Sequence, residues 1–571
     1  MEDNMEFQTR YQRWLENTKN DAETQAELLK MNPKEIEEAF IKDVEFGTGG
    51  LRGKLGAGPN RMNSYVVRRA TQGFATCLKA GTSVAIAYDS RNKSDEFAKE
   101  AAAVFAANGL TAYIFPQLMP TPMLSFAVRQ LGCAAGVVVT ASHNPAIYNG
   151  YKAYGADGCQ ITLDVADQVL TAIRAIDEFD GVRTINFEDG VKSGSIKIIE
   201  EQMTTAFLDA VYTQSLNPTA CEQAGLKVIY TPLNGAGNKP VRAILTRLNV
   251  NVSVVAEQEN PDGNFPTCAY PNPEEKATFA LAEKLAESVC PDLMLATDPD
   301  CDRVGISAKN KDGSYSLLSG NDVGLLLTEY LLSERKEKGT LPKNPIIIKT
   351  IVTTDLTNKI AAAFGAETID VLTGFKFIGE QIGFLEQKGQ KDRYVFGFEE
   401  SYGYLAGTHA RDKDAVVASM LICEMAAVYK LKGITLPEAL ENIYQTYGYS
   451  LQNLKNFTFE GVSGMDKMKR IMSFFRDTQH QEFAGREVTK FTDYEQSVFV
   501  EKSGNKGVVN LPKSDVVAFE LTGGLKFLVR PSGTEPKMKA YLFAHAKTLT
   551  EAQTAINELA QAVSDKINAV E

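Results

Sequence analysis

Leu293-Met294-Leu295-Ala296-Thr297-Asp298-Pro299-Asp300-Cys301-Asp302-Arg303 reads as an apolar strand that runs into three alternating carboxylates. Side chains two apart in an extended segment point the same way, and carboxylate oxygens are the ligands that Mg2+ and Ca2+ prefer. The stretch therefore predicts a strand whose following loop holds a hard divalent cation. Three carboxylates within five residues repel one another unless a cation or an arginine compensates, and Arg303 alone is too little. An EF-hand would need Gly at the sixth loop position and Glu at the twelfth, where Arg303 and Lys309 stand. Asp302 weakens the reading as an Asp-nucleophile phosphatase, whose pattern wants a hydroxyl or apolar residue at that position.

The same arrangement, an apolar strand followed by an unusual polar loop and a helix, recurs along the chain. Strands are predicted at Val84–Tyr88, Gly136–Val139, Lys227–Tyr230, Asn251–Val255, Pro345–Ile348 and Tyr394–Phe396, and helices at Phe7–Glu16, Pro33–Phe40, Glu96–Asn108 and Asp414–Lys430. Strands separated by crossover helices indicate α/β domains with mainly parallel sheets. In such sheets ligands sit beyond the carboxyl ends of the strands, where these loops lie. A chain of 571 residues is too long for one core. We place boundaries to give domains 1–205, 206–318, 319–455 and 456–571, with Lys309–Ser319 as a polar loop at the second boundary. The last segment, with strands at Val516–Leu521, Leu525–Val529 and Lys539–Ala544 and a helix at Thr550–Val570, is α+β.

Composition narrows the function. Hydrophobic content of 44% and charged content of 23% are those of a soluble globular protein. A net charge of −12 argues against nucleic-acid or anionic-membrane surfaces, which need a basic face. The eight cysteines form no CxxC pair or zinc-like spacing, and the acidic N-terminus lacks a signal peptide's features, so a reduced, cytoplasmic setting is expected. No apolar run approaches the roughly 20 residues that cross a bilayer.

Three further loops carry chemistry. Thr140-Ala141-Ser142-His143-Asn144-Pro145 follows a very apolar strand as a nucleophile elbow would, though it is not Gly-x-Ser-x-Gly. Lys152 follows closely in Tyr148-Asn149-Gly150-Tyr151-Lys152. The loop Arg530-Pro531-Ser532-Gly533-Thr534-Glu535-Pro536-Lys537 offers a guanidinium, hydroxyls, a bare glycine backbone and a lysine, which is the set that phosphate wants. Gly397-Phe398-Glu399-Glu400-Ser401 would repel an anion and suits polyol hydroxyls, which donate hydrogen bonds. His409, His480 and His545 read as incidental.

With all four loops in order, the chain resembles the α-D-phosphohexomutase superfamily, the phosphoglucomutases and phosphomannomutases, over nearly its whole length. Phe46-Gly47-Thr48-Gly49-Gly50-Leu51-Arg52-Gly53 is similar to that family's N-terminal active-site loop. The resemblance implies four domains, three mixed α/β sandwiches and a C-terminal α+β domain, arranged like a heart around a central cleft. It implies that Ser142 carries a phosphoryl group and that Asp298, Asp300 and Asp302 hold Mg2+ together with the Ser142 phosphate, supported by Arg303. Glu399 and Ser401 would read sugar hydroxyls, and Arg530, Ser532, Gly533 and Thr534 would hold the non-reacting phosphate, with Lys537 beside them. His143, Lys152 and Arg52 would move protons and stabilise charge.

The Glu-Glu-Ser spelling resembles the glucose-type loop. Thr373-Gly374-Phe375-Lys376 and the Phe46–Gly53 spelling resemble the longer branch, which adds Gly374 and Lys376 to the substrate set. The implied reaction interconverts glucose 1-phosphate and glucose 6-phosphate through a phosphoserine and glucose 1,6-bisphosphate. Phosphopentomutase or phosphomannomutase activity is the alternative within the family. A metal-dependent sugar-phosphate phosphatase and a non-catalytic phosphosugar-binding protein are the alternatives outside it. Cys301 is expected to point away from the ion in an extended loop. The oligomeric state is not readable from the sequence.

Overall fold

A computed structural model describes residues 2–47, 49–459, 461–477, 482–531 and 537–570. The chain forms two compact units. The first comprises Met1–Gly320, Ile378–Gly397 and Ser401–Thr435, and the second Asn321–Phe377, Phe398–Glu400 and Leu436–Glu571.

The first unit contains two mixed sheets. One has seven strands in the order Phe46–Gly47, Gly50–Lys54, Tyr148–Gly155, Ala135–Val139, Ser83–Tyr88, Thr111–Ile114 and Ile196–Ile198. The last four run parallel, while the pairings from Phe46–Gly47 through to Ala135–Val139 are antiparallel. The other sheet orders Tyr315–Leu318, Val304–Lys309, Leu293–Thr297, Lys227–Thr231 and Asn251–Val254, its first three strands antiparallel and its last three parallel.

The expectation of mainly parallel sheets is thus corrected. Tight turns at 140–147 and 298–303 return the chain beside the strand it has just left, and an antiparallel return needs no crossover helix. The expected polar loop Lys309–Ser319 is likewise the end of a hairpin. Asn310, Asp312 and Gly313 supply its turn, with Gly313 at φ +88, between Val304–Lys309 and Tyr315–Leu318.

The strands that lead to the serine and aspartate loops, Ala135–Val139 and Leu293–Thr297, are wholly buried, as their apolar spelling requires. Ile346–Thr350 is buried too, with Lys349 paired to Asp355 and Asp370. The helix Ala415–Leu431 is almost wholly apolar, with Ser419 and Glu424 the polar residues of its buried stretch. All residues from Ala415 to Val428 are buried, and Asp414 caps its start by accepting from the N–H groups of Val416 (2.8 Å) and Val417 (3.1 Å). Its partners include the helices Ala220–Ala224 and Asn238–Arg247 and the strand Gly403–Ala406. His409 is not idle: its Nε2 lies 2.7 Å from Asp414 and helps to hold that cap.

Before the seven-stranded sheet, three helices (Glu2–Asn17, Ala22–Leu28 and Pro33–Phe40) close around the sole tryptophan, Trp14. Its ring meets Phe40, Tyr65 and Phe179 edge-on at 5.9, 5.2 and 5.5 Å, and its Nε1 donates to Glu178 at 2.9 Å. Burying an aromatic side chain is worth about 1.5–3 kcal/mol, so this residue pins the N-terminal helices to the unit.

The second unit carries the parallel pair Ile346–Thr350 and Glu367–Val371. It also carries an antiparallel sheet in the order Tyr449–Thr458, Lys537–Ala546, Leu525–Pro531, Val517–Leu521, Arg486–Asp493, Val498–Glu501 and Lys506–Val508. The helices Gly461–Asp477 and Leu549–Ala569 contribute to the core beneath that sheet. The C-terminal segment is therefore α+β, and no described helix is long and apolar enough to cross a membrane.

Candidate active site

The strand Ala135–Val139 delivers Ser142 into a tight buried turn. Ser142 has φ +52, a left-handed conformation that a residue with a Cβ holds only when its surroundings demand it. Two groups impose it. The Ser142 N–H donates to Thr140 Oγ1 at 2.8 Å, and Arg91 grips the turn from behind. Nη2 of Arg91 donates to the carbonyls of Ser142 (2.7 Å) and Asn144, and Nη1 to those of Pro145 and Tyr148, both at 3.0 Å. The Arg91 side chain is fully buried against Asp89, whose carboxylate accepts from Thr140 Oγ1 at 2.6 Å and Ser94 Oγ at 2.8 Å.

Asp298, Asp300 and Asp302 stand at the end of Leu293–Thr297, all buried, each offering an oxygen within 4.8 Å of the others. The convergence does not come from an extended segment, as expected, but from a turn: the Cys301 N–H donates to the Asp298 carbonyl at 2.9 Å and Cys301 has φ +51. Asp298 Oδ1 accepts from the N–H groups of Asp302 (3.1 Å) and Arg303 (3.0 Å), and Oδ2 accepts from Ser142 Oγ at 3.0 Å. Asp300 Oδ2 accepts from Lys152 Nζ at 2.7 Å and from Thr121 Oγ1 at 3.0 Å. Oδ1 of Asp300 and Oδ1 of Asp302 are buried with no hydrogen-bond partner among the described residues.

Burial, together with the facing charges of Asp300 and Asp302, pushes the Asp298 carboxyl well above the usual carboxylate range. Burial works against the Asp300 carboxylate too, but Lys152 outweighs it and lowers its pKa. Buried carboxylates with unmatched oxygens at this spacing fit a hard cation.

Cys301 is fully buried in this turn, its Sγ against Gly237, where even a Cβ would lie 2.9 Å from the sulfur. Burial raises its thiol well above the ordinary range, which opposes formation of the thiolate that would react or bind metal. Ellman's reagent applied to the native protein is expected to modify the exposed Cys77 and Cys290 and to spare Cys301. Rapid modification of Cys301 would show that this turn opens.

The remaining expected residues of the first unit sort by distance. Lys152, on Tyr148–Gly155, faces Asp300 at 2.7 Å and Asp302 at 3.4 Å. Burial opposes its charge, but the two carboxylates prevail and raise its pKa. His143 Nδ1 lies 3.2 Å from Ser142 Oγ, and burial, then Arg303 and Arg52, hold its imidazole well below the ordinary pKa. Tyr270 meets that ring edge-on at 5.7 Å. Arg303 reaches Glu274 at 2.9 Å, and its backbone bridges to Gly403, so the segment after Ser401 is stitched to the aspartate turn. Arg52 is exposed on Gly50–Lys54, in register with Gly150.

In the second unit, Glu399 is buried at the end of Tyr394–Glu399, and Glu400 accepts from Thr350 (3.2 Å) and Thr353 (3.3 Å). Gly374 has φ +120, a conformation glycine adopts freely, and it precedes the helix Phe375–Gln387, which carries the buried Lys376. Arg530 and Lys537 lie on paired strands at a hairpin end, where Arg530 faces Lys539 and Pro531 faces Met538. Ser532, Gly533 and Thr534 lie outside the described residues, as do Thr48 and His480.

Family models described as phosphoglucomutase/phosphomannomutase alpha/beta/alpha domains I, II and III match residues 43–180, 205–313 and 319–447. The phosphoglucomutase of Staphylococcus saprophyticus subsp. saprophyticus is 37% identical over 548 residues, covering 94% of this chain and 97% of that one. The chain belongs to the phosphoglucomutase/phosphomannomutase family. The phosphoglucomutase of Staphylococcus aureus (strain MSSA476) is 35% identical over 552 residues, covering 96% and 97%.

The fold of this family is also seen in solved structures. The exocytosis-sensitive phosphoprotein pp63/parafusin of Paramecium, in its open form, aligns at TM-score 0.69 and 20% identity over 91% of this chain and 95% of that one. A phosphoglucomutase/phosphomannomutase family protein of Burkholderia thailandensis aligns at TM-score 0.65 and 17% identity over 92% and 98%.

Sequence reading missed four side chains of this family member's site. Asp89 and Arg91 lie in Tyr88-Asp89-Ser90-Arg91, directly after a recognised strand, where the rule that flagged Ser142 would also have flagged them. Lys413 lies 3.4 Å from Asp302 and 3.1 Å from Asp412, which in turn accepts from Tyr154 at 2.6 Å. Its signal was the charged run Arg411-Asp412-Lys413-Asp414 before an apolar helix. Thr121 had no signal, because its role depends on tertiary packing.

Proposed function

We propose that this protein is a phosphoglucomutase, which interconverts glucose 1-phosphate and glucose 6-phosphate by passing a phosphoryl group on and off Ser142, with glucose 1,6-bisphosphate as the intermediate. The observation that carries this reading is Ser142 Oγ held 3.0 Å from Asp298 in a buried turn, beside the three carboxylates. The 35–37% identity to curated phosphoglucomutases over nearly the whole chain supports it.

Asp298, Asp300, Asp302 and the phosphorylated Ser142 would hold Mg2+, which would neutralise charge on the phosphoryl oxygens. In the first half-reaction a sugar hydroxyl attacks the phosphorus of phospho-Ser142. The new P–O bond forms as the bond to Ser142 Oγ breaks, and the bisphosphate results. In the second half the other phosphoryl group moves from the sugar to Ser142 Oγ. His143, with Nδ1 3.2 Å from that oxygen, is placed to exchange the proton that the hydroxyl group loses or gains. Lys152 and Lys413 supply fixed positive charge beside Asp300 and Asp302. Arg303 orients the metal loop, Glu399 and Ser401 read sugar hydroxyls, with Gly374 and Lys376 completing that part, and Arg530 and Lys537 meet the distal phosphate.

Conversion of glucose 1-phosphate with Mg2+ and trace glucose 1,6-bisphosphate, with free phosphate followed in parallel, tests the reading. Rapid isomerisation without phosphate release is expected, and stoichiometric phosphate release would overturn it. A phosphatase using Asp298 as nucleophile fits the geometry less well, because both oxygens of that buried side chain are engaged. Ribose and mannose phosphates assayed alongside rank the family alternatives.

Removal of metal with EDTA is expected to cost several kcal/mol of transition-state stabilisation, on the order of 10^3-fold in rate. Activity should return with added Mg2+. Full activity after exhaustive chelation would rule the metal role out.

A further inference from the structure

Four arginines from three helices converge on one pocket of about 370 Å³ on the first unit, away from Ser142 in sequence and in role. Arg10 and Arg13 come from Glu2–Asn17, Arg69 from Ser64–Thr76, and Arg174 closes Leu163–Arg174. The N-terminal helices precede the segment matched to family domain I, which begins at residue 43. In a chain of net charge −12, such a gathering of guanidinium groups runs against the average surface.

The lining also carries the carboxylates of Asp177 and Glu178; Arg69 lies 4.0 Å from Glu178, and Arg13 lies 4.0 Å from Asp180 nearby. Arg13 binds both oxygens of Asp177 at 2.7 and 2.6 Å and lies over the Phe179 ring at 5.2 Å. Arg69 donates to the Ile176 carbonyl at 2.8 Å and to Asp43 at 2.9 Å, and Arg10 shares Asp43. Arg174 is exposed and makes no ion pair among the described residues. Three guanidinium groups are thus already oriented by carboxylates, and the fourth brings uncompensated charge to the same opening. Rigid forks held in place lose little freedom when an anion arrives.

We propose that this pocket binds a phosphate-type dianion, either inorganic phosphate or the phosphate group of a small ester. A tetrahedral dianion offers oxygens to several forks at once, whereas one carboxylate satisfies a single fork. The volume suits a phosphorylated metabolite and is far too confined for the extended basic track that a nucleic acid needs. The inference is independent of the mutase reading, since the hydrogen bonds and ion pairs of these arginines among the described residues involve no residue of the serine loop.

Equilibrium dialysis of the full-length protein with radiolabelled inorganic phosphate, and separately with radiolabelled glucose 6-phosphate, counts the sites at fixed ionic strength. The exposed Arg174 tolerates replacement, so Arg174→Glu is compared with the unaltered protein. One equivalent of bound anion is expected to disappear in Arg174→Glu, with turnover of glucose 1-phosphate unchanged. Loss for phosphate alone identifies the free ion as the ligand, and loss for both probes identifies the ester group. Trp14 gives a second reading, because its Nε1 binds Glu178 in the pocket wall. A saturable change in its emission is expected to weaken at least tenfold in Arg174→Glu. Identical binding of both probes by the two proteins would overturn the proposal.

Discussion

Ser142→Ala is expected to lower turnover by more than roughly 10^3-fold, because the group that accepts and returns the phosphoryl is gone. The fold should survive. The lost contacts are the bond to Asp298 at 3.0 Å and the approach to His143 at 3.2 Å. One hydrogen bond of this kind is worth about 1 kcal/mol net. The grip of Arg91 on the Ser142 carbonyl uses backbone and is untouched by the substitution. The check is paired: steady-state turnover, and incorporation of label from glucose 1,6-bisphosphate into the protein. Turnover within tenfold of the unaltered enzyme, or label still bound to Ser142→Ala, would sink the phosphoserine mechanism.

Arg91→Met is expected to have the largest effect on stability. The substitution leaves Asp89 buried without its cation, and breaking a buried pair from one side costs about 3–5 kcal/mol. It also strips the donors from four carbonyls of the Ser142 turn, which leaves Thr140 and Asp298 to hold its left-handed residue. Urea unfolding followed through Trp14, which sits in the same unit, reads the change directly. A midpoint shift corresponding to less than about 1 kcal/mol would show that the ion pair is not structural in this sense. Asp89→Asn/Arg91→Met should recover part of the loss, since it removes the orphaned charge but not the orphaned carbonyls.

What the sequence disclosed follows from how local each signal is. Leu293–Thr297 and Ala135–Val139 are spelled as buried strands and are buried strands, because every side chain on both faces must be apolar. The three Asp residues were legible because their spacing is a property of a short peptide. The reason they converge was not: it is the left-handed turn at Cys301, and nothing in that residue type demands φ +51. Lys152 was visible as a lysine near the serine loop, but its 2.7 Å approach to Asp300 depends on two loops far apart in sequence meeting. Arg91 was legible in part. Its place directly after a strand was a usable local signal, but the four carbonyls around it are revealed only by the fold. The hairpin at 304–318 was missed because a short polar turn between two short strands looks like one polar loop.

The helix Ala415–Leu431 has a consequence for how the chain is made. A segment with no polar face is sticky wherever it is exposed, and a newly emerged one invites aggregation or capture by chaperones. Its neighbours Glu201–Tyr212, Ala220–Ala224, Asn238–Arg247, Leu293–Thr297 and Gly403–Ala406 all precede it in the sequence. During vectorial synthesis the slot that receives this helix can therefore be assembled before the helix leaves the ribosome. Chain order itself thus acts as protection, and a circular permutant beginning near residue 412 would lose it, with a lower soluble yield as the visible sign.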